Sequence, residues 1–229
     1  SSAESIVDDP EGNFELRGVV PGAYTLIAHV WNPENRMQAR VPLDVGTADI
    51  EGLIVPVGPG IEIQGRLQWE GSAPAKEATP QVHLQPKEEG VYFGGTAGEV
   101  KAEGRFTLKN VADGDYRLHV FDRSEDCYVK SARLGGEDVL PDGLTIAAGK
   151  AAGGLEVVIS CASGTLEGAV LNDQQQPVTE ARVVLIPEGE RRNQDHLFES
   201  TSPDQYGHFI MKGIAPGDYR IFAWENVEH

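Results

Sequence analysis

The chain carries one sequence signature three times, at intervals long enough to hold a whole domain. Each copy has a glycine, a phenylalanine two residues later and then Gly-x-Tyr. The three phenylalanines are Phe14, Phe106 and Phe209. The three tyrosines, which keep the same intervals of 92 and 103 residues, are Tyr24, Tyr116 and Tyr219. Solenoid repeats are much shorter, about 20–50 residues, so the spacing predicts an array of separate domains.

The signature has the composition of two strands joined by a tight turn. Phe106 and Leu108, two positions apart, follow the period of a half-buried strand. Pro-Gly or Asp-Gly then supplies one fixed φ angle and one residue that accepts positive φ. The tyrosine just past this corner can bury its ring and bond its hydroxyl to nearby backbone, as in the tyrosine corner of immunoglobulin folds. We therefore expect the three tyrosines to be structural rather than catalytic.

The middle copy of the signature lies in the one complete module. Six segments have the character of strands, and a seventh, near Gly98–Lys101, is poorly defined. The six are Ile61–Trp69, Gln81–Gln85, Gly104–Leu108, Asp115–Phe121, Tyr128–Leu134 and Gly154–Ser160. Turn residues separate them, and no long amphipathic helix is indicated. Six or seven short strands in about 100 residues are typical of a β-sandwich.

A second repeated segment marks where modules begin. The stretch from Gly60 to Gly65 is similar to the stretch from Gly164 to Gly168. Each follows an apolar segment, Leu53–Val57 or Leu155–Ile159, which we expect to be the closing strand of the preceding module. These boundaries predict three tandem modules: a partial one at 1–58 with later strands, a complete one at 59–161, and a partial one at 162–229 with opening strands.

Each partial module would leave a sheet edge exposed and a core uncovered. Two explanations are open at this point. The chain is part of a longer array of modules, or the half-modules complete one another between chains. In the second case strands are donated from one copy to the next, and the product is a head-to-tail filament.

The Gly-x-Phe-x-Leu…Pro-Gly-x-Tyr-x-Leu pattern resembles the carboxypeptidase regulatory-like domain family, whose transthyretin-like sandwich is related to starch-binding-like and collagen-adhesin B-type domains. The resemblance covers nearly the whole chain and is closest from Gly213 to Glu225. It implies tandem transthyretin-like, Ig-like β-sandwiches of a surface or secreted bacterial protein, and a role in stalk building, adhesion or folding support. Related adhesin domains carry Lys–Asn isopeptide bonds, but the opening strands Ile61–Trp69 and Thr165–Leu171 contain no lysine, so we expect none here.

The charge of the chain excludes two classes of partner. The formal net charge is −17, from 36 acidic and 19 basic residues. Such a field repels nucleic acid and anionic membrane surfaces. The longest apolar runs are strand-sized, far below a bilayer span, so we expect no direct membrane insertion.

No pattern of reactive side chains indicates catalysis. The six histidines are scattered, and no Gly-x-Ser-x-Gly elbow or Walker-type loop is present. The acidic stretches Asp8–Glu11 and Asp122–Asp126 contain hard oxygen ligands for Ca²⁺ but lack the spacing of a calcium loop. We therefore expect no enzyme activity, no cofactor and no metal.

The two cysteines, Cys127 and Cys161, flank the last two predicted strands of the middle module. Partners in an antiparallel pair have residue numbers with a constant sum. The cysteines sum to 288, and Leu134 with Leu155 sums to 289, so both pairs fit nearly one register. We predict that the cysteines lie close enough for a disulfide, with Cα atoms less than 7 Å apart. Closing this 35-residue loop would stabilise the module by roughly 3–4 kcal/mol and would favour an oxidising compartment. The alternative is two small buried apolar side chains.

The tryptophans, Trp31, Trp69 and Trp224, distinguish two functional hypotheses. In the first, the chain is a non-catalytic rod or filament element of an extracellular, cell-surface or periplasmic protein, and Trp224 packs against a neighbouring module or copy. In the second, it is a carbohydrate-binding accessory domain in which Trp69 or Trp224 stacks on polysaccharide. A solvent-facing tryptophan in a shallow groove favours the second hypothesis, whereas one covered by a neighbour favours the first.

Overall fold

The structure is a computed structural model that describes residues 3–30, 37–71, 79–87, 95–147 and 153–225. Regular structure in these residues consists of β-strands and short 3-10 turns, which confirms the prediction of an all-β chain. Close contacts divide the chain into two compact units, Ser1–Gly60 and Ile61–His229. The division into modules at 1–58, 59–161 and 162–229 stays a prediction.

The first unit holds one antiparallel sheet. Its strands are β1 Gly22–Val30, β2 Met37–Val45 and β3 Gly58–Pro59. They lie in that order, and Tyr24 pairs with Leu43. Ala39 is the one fully buried apolar side chain among the described residues of this unit, so its sheet has little core of its own.

The second unit begins with a complete β-sandwich, which we call the middle module. Its strands are β4 Ile61–Glu70, β5 Gln81–Pro86, β6 Thr96–Glu99, β7 Arg105–Val111, β8 Gly114–Phe121, β9 Tyr128–Leu134, β10 Glu137–Asp138, β11 Leu144–Ile146 and β12 Leu155–Ser160. One sheet has the order β10-β9-β12-β4-β7 and the other β11-β8-β5-β6. All pairs are antiparallel except β12 with β4. The predicted strands of this module are confirmed, whereas the short strands β10 and β11 were not predicted.

The core of the middle module lies between the two sheets. Along β8, Tyr116, Leu118 and Val120 point inward and are buried, as the two-residue period requires. The intervening Arg117 is exposed and His119 is half-buried on the outer face. This alternation places the tyrosine of the signature in the core cluster together with its phenylalanine.

The register predicted for the last two long strands is confirmed. Leu155 pairs with Leu134, and Ser160 pairs with Tyr128. The residue sum therefore falls from 289 to 288 along the ladder, because a β-bulge lies between Val158 and Ile159. The bulge accounts for the one-residue mismatch between the two predicted pairs.

A smaller pair of sheets follows, which we call the third module. Its strands are β13 Gly164–Ala169, β14 Ala181–Pro187, β15 Glu199–Thr201, β16 His208–Ile214 and β17 Tyr219–Glu225. β13 pairs with β16, and β14 lies between β15 and β17. Its core is small, formed around Val183, Leu185, Phe209 and Met211. Ile221 on β17 is 48% exposed, whereas Leu118 at the matching position of β8 is 5% exposed.

Two strands expected in the first unit are not formed, and the sequence prediction was wrong there. The segment Phe14–Leu16 and the segment Leu53–Val57 are irregular, and Ile54 is 83% exposed. The reason is the lack of partners. In the middle module Phe106 pairs with Gly65 of β4, and β12 lies beside β4. The described residues before β1 contain no strand that could take the place of β4.

Candidate functional site: the joint between two modules

The three signature tyrosines make the same local hydrogen bond. Each hydroxyl donates to the carbonyl oxygen of the residue four positions earlier. The pairs are Tyr24 to Val20 at 2.7 Å, Tyr116 to Ala112 at 3.1 Å, and Tyr219 to Ala215 at 2.9 Å. A hydroxyl bonded to backbone at each corner holds the turn against the following strand, which is a structural use of tyrosine.

The repeated glycine at a module start is explained by the phenylalanine of the signature. Gly65 pairs with Phe106, and Gly168 pairs with Phe209. A Cβ atom on Gly168 would lie 2.6 Å from Cζ of Phe209, and one on Gly65 would overlap the Phe106 ring. Glycine is thus required where the aromatic ring lies across the neighbouring strand.

The described part of the chain brings Cys127 and Cys161 together as a disulfide, with Cα atoms 4.1 Å apart. Cys127 ends the loop between β8 and β9, and Cys161 directly follows β12. Only residues 161–163 separate β12 of the middle module from β13 of the third. The disulfide therefore lies at the point where the chain passes from one module to the next, which we call the joint.

Charged and polar side chains cross the joint beside the disulfide. Lys212 Nζ of β16 lies 3.2 Å from Glu125 Oε1 and 3.6 Å from Asp126 Oδ1. The hydrogen bond to Glu125 raises the pKa of Lys212, with Asp126 adding to the effect. Ser163 donates from its hydroxyl to the carbonyl oxygen of Asp126 at 2.6 Å. The acidic stretch Asp122–Asp126, considered above for Ca²⁺, thus meets a lysine of the third module.

A second contact region lies between β8 and the residues that precede β15. Arg117 of β8 pairs with Asp195, which belongs to a 3-10 turn before β15. A cleft of about 330 Å³ lies between the modules at this place. Its lining includes Tyr128, Asp138 and Leu140 from the middle module and Arg191 and His196 from the third. Burial lowers the pKa of His196, and Arg191 adds to the effect.

The tryptophans occupy different environments. Trp31 lies outside the described residues. Trp69 is half-buried against the core and lines an open cleft of about 630 Å³ together with Arg66, Lys101 and Glu103. Trp224 is 49% exposed on β17, opposite Arg182 of β14.

The histidines do not converge on a metal or a catalytic group in the part of the chain that the structure describes. His83 and His119 are partners across β5 and β8, and their rings lie 4.7 and 6.0 Å from that of Phe121. No set of three or more His, Cys, Asp or Glu side chains is placed to hold a metal ion among the described residues. No described helix has the length and apolarity to cross a bilayer.

Several joint residues carried no sequence signal. Lys212 is one of 19 basic residues, and Ser163 and Gly213 belong to no motif beyond the repeat itself. The only available signal was the near-common register of the cysteines, because it placed one of them at the start of the inter-module linker. Contacts between modules depend on how the modules are oriented, which no pattern within one module encodes.

Comparisons with known proteins place few limits on the chain. No family model matches it, and no curated protein matches it. A streptococcal ancillary pilin aligns over 92% of this chain and 67% of its own, with a TM-score of 0.29 and 11% identity. The Bacillus anthracis TIE protein aligns over 89% of this chain and 38% of its own, with a TM-score of 0.27 and 13% identity. A TM-score below 0.5 does not establish a common fold, so the functional argument rests on the geometry of the joint.

Proposed function

We propose that the chain is a non-catalytic structural element of an extracellular or cell-surface protein, a stiff rod segment built from tandem β-sandwich modules. The observation that carries this proposal is the joint. A linker of residues 161–163 joins the two modules, and side chains from both of them bond across it. A short linker with specific contacts on both sides favours one orientation of the modules, which is what a rod requires.

The location follows from the chemistry of the joint and of the surface. A disulfide persists in oxidising compartments such as the cell exterior and the bacterial periplasm. A net charge of −17 keeps a repetitive β protein soluble and discourages sheet-to-sheet association. Both features support an extracellular, cell-surface or periplasmic place of action.

Membership of the carboxypeptidase regulatory-like family is part of this proposal. Its support is internal to the chain. In β1 and β2, Tyr24 pairs with Leu43, and in β8 and β11 Tyr116 pairs with Leu144. The two corners therefore share one register as well as one sequence signature. This shared pairing supports the hypothesis that the first unit and the middle module are copies of one fold.

Strand complementation between chains is the finer form of the proposal. One edge of β17 has no partner strand among the described residues, whereas β8 at the matching position pairs with β11. A segment with the Leu-x-Val or Leu-x-Ile pattern of Leu43–Val45 and Leu144–Ile146 would fit this edge in the register of the other two corners.

The rod is tested by nitrogen-15 relaxation of backbone amides in the oxidised full chain. A stiff joint predicts that the middle and third modules share one rotational diffusion tensor, because they tumble together. Separate and shorter correlation times for the two modules would contradict the proposal. Amides of the linker at Ala162 and Ser163 should show the same order as those of the flanking strands.

A carbohydrate-binding role is the second candidate, and the cleft beside Trp69 is what favours it. An indole face with Arg66 and Glu103 nearby has the chemistry of a sugar platform. Calorimetric titration with soluble polysaccharides tests it. Binding that is lost in Trp69→Ala and kept in Trp224→Ala would establish the site, whereas no heat with any polysaccharide would dismiss it.

A further inference from the structure

The position of the disulfide relative to the sheets indicates which segment of the chain it constrains. β9 and β12 are already neighbours in the sheet, and their ladder runs as far as Tyr128 with Ser160. A crosslink one residue beyond this ladder adds little to the order of the folded sheet. On its other side lies the start of the linker, so the added constraint falls on residues 161–163.

The loop that carries Cys127 is the surface on which the third module rests. A Cβ atom on Gly213 of β16 would lie 2.6 Å from the carbonyl oxygen of Glu125 and 2.9 Å from that of Cys127. The backbones of β16 and of this loop are therefore in direct contact. Lys212, the preceding residue, pairs with the carboxylates of the same loop. Movement of Cys127 would therefore move the loop backbone that β16 contacts.

Arg123 hydrogen-bonds to backbone carbonyls at both ends of the loop and also contacts the third module. Its Nε atom donates to the carbonyl oxygen of Cys127 at 3.0 Å, and one terminal nitrogen donates to that of Val120 at 3.1 Å. The other terminal nitrogen lies 4.0 Å from Glu199 Oε1 of β15. The loop, the linker and two strands of the third module thus form one connected set of contacts, with the disulfide as its covalent member.

We propose that the Cys127–Cys161 disulfide is a clamp on the joint: it ties the first residue of the linker to the loop on which β16 rests, and so fixes the orientation of the third module on the middle module. This inference rests on the proposed rod function. On closure the two thiols give up two electrons and two protons to an external disulfide, which is reduced to its thiols. Opening by a dithiol reverses the exchange.

The clamp is tested by the distance between the modules with the disulfide present and absent. Spin labels are attached to ketone-bearing amino acids at positions 109 and 173, which are exposed sites on the middle and third modules. This chemistry leaves the cysteines untouched. Double electron–electron resonance is measured on the oxidised full chain and on Cys127→Ala/Cys161→Ala. The clamp predicts a narrow distribution in the first and one about twofold wider or more in the second.

Two controls separate the clamp from other causes. Lys212→Gln removes the ion pairs and keeps the disulfide, so its distribution should stay as narrow as that of the unsubstituted chain. Reduction of the unsubstituted chain by a dithiol should widen the distribution without any substitution. Amide spectra of both modules show in each case whether the folds persist.

The outcomes are distinct for the clamp and for the rod. A broad distribution in the oxidised, unsubstituted chain would contradict the rod, and the clamp with it. Narrow distributions both with and without the disulfide would overturn the clamp alone, because the non-covalent contacts would then suffice. Loss of the native spectrum of the middle module, both in the alanine variant and after reduction, would also overturn the clamp, since the bond would then be needed by that module itself.

Discussion

At the scale of single residues, the side chains of the signature make packing contacts and hydrogen bonds to the backbone. Its phenylalanine and tyrosine share the core of the middle module, where the Phe106 ring lies across Gly65, the repeated glycine of the module start, and Tyr116 closes the corner. At all three positions, adding or removing a single side-chain atom should change the free energy of unfolding substantially. Stability measurements on single substitutions therefore test the structural interpretation directly.

Tyr116→Phe should lower the free energy of unfolding by about 1–3 kcal/mol. The substitution keeps the buried ring and removes the hydroxyl that donates to the Ala112 carbonyl, which leaves that acceptor without its donor. Chemical denaturation monitored by circular dichroism measures the change. Tyr206→Phe is the matched control, because Tyr206 is 63% exposed, and it should change stability by far less. Equal effects from the two substitutions would contradict a role for the corner bond.

Gly65→Ala should destabilise the middle module by about 1–3 kcal/mol, the usual effect of overpacking. The new Cβ atom would overlap the Phe106 ring and lie 2.7 Å from the carbonyl oxygen of Leu155, so strands on both sides must shift. Thermal unfolding measures the loss. Gly154→Ala is the control in the same module, because the nearest atom to its Cβ lies 4.0 Å away. An unchanged transition in Gly65→Ala would contradict a steric requirement for glycine at this module-start position.

At the scale of elements, what could be predicted depended on whether the partner of a segment is encoded nearby. The register of β9 with β12 followed from two residue pairs, because a long ladder fixes it. The strands β10 and β11 are two and three residues long, too short for a visible alternation. Phe14–Leu16 has the same signature as β7 and forms no strand, because pairing is set by a neighbour and not by the segment itself.

The 3-10 turn that carries His196 should make the contact between the modules sensitive to pH. The pKa of His196 is lowered mainly by burial and secondly by the positive charge of Arg191. The negative charges of Asp138 and Asp195 act in the opposite direction. A histidine with a lowered folded-state pKa binds protons more readily when unfolded. The free energy of unfolding is therefore highest when the pH is above the pKa of histidine in the unfolded chain, about 6.5. It decreases as the pH falls below that pKa, because the unfolded chain then binds the proton more readily.

The expected result is a free energy of unfolding that falls between about pH 7.5 and 5.5, measured by denaturant titration at each pH. His196→Gln should flatten this dependence, because glutamine does not titrate. His119, whose pKa is also lowered mainly by burial, contributes in the same direction. A slope unchanged by His196→Gln would contradict a lowered pKa of the half-buried His196 at this contact.

At the scale of the whole molecule, the proposed rod depends on a fixed orientation of the middle and third modules. The fold class could be predicted from the repeated signature, because each copy contains a complete turn between two strands. The joint could not, because Lys212, Ser163 and Gly213 become meaningful only when two modules are placed together. The disulfide is the exception, since strand register alone predicts that its two cysteines lie close together.

Residual dipolar couplings of the oxidised full chain in a dilute alignment medium test the central claim most directly. Couplings from amides of β4–β12 and of β13–β17 should fit one alignment tensor when the two modules have the relative orientation described above. Two tensors of clearly different magnitude, with each module fitting well only by itself, would show a flexible joint and would contradict the rod.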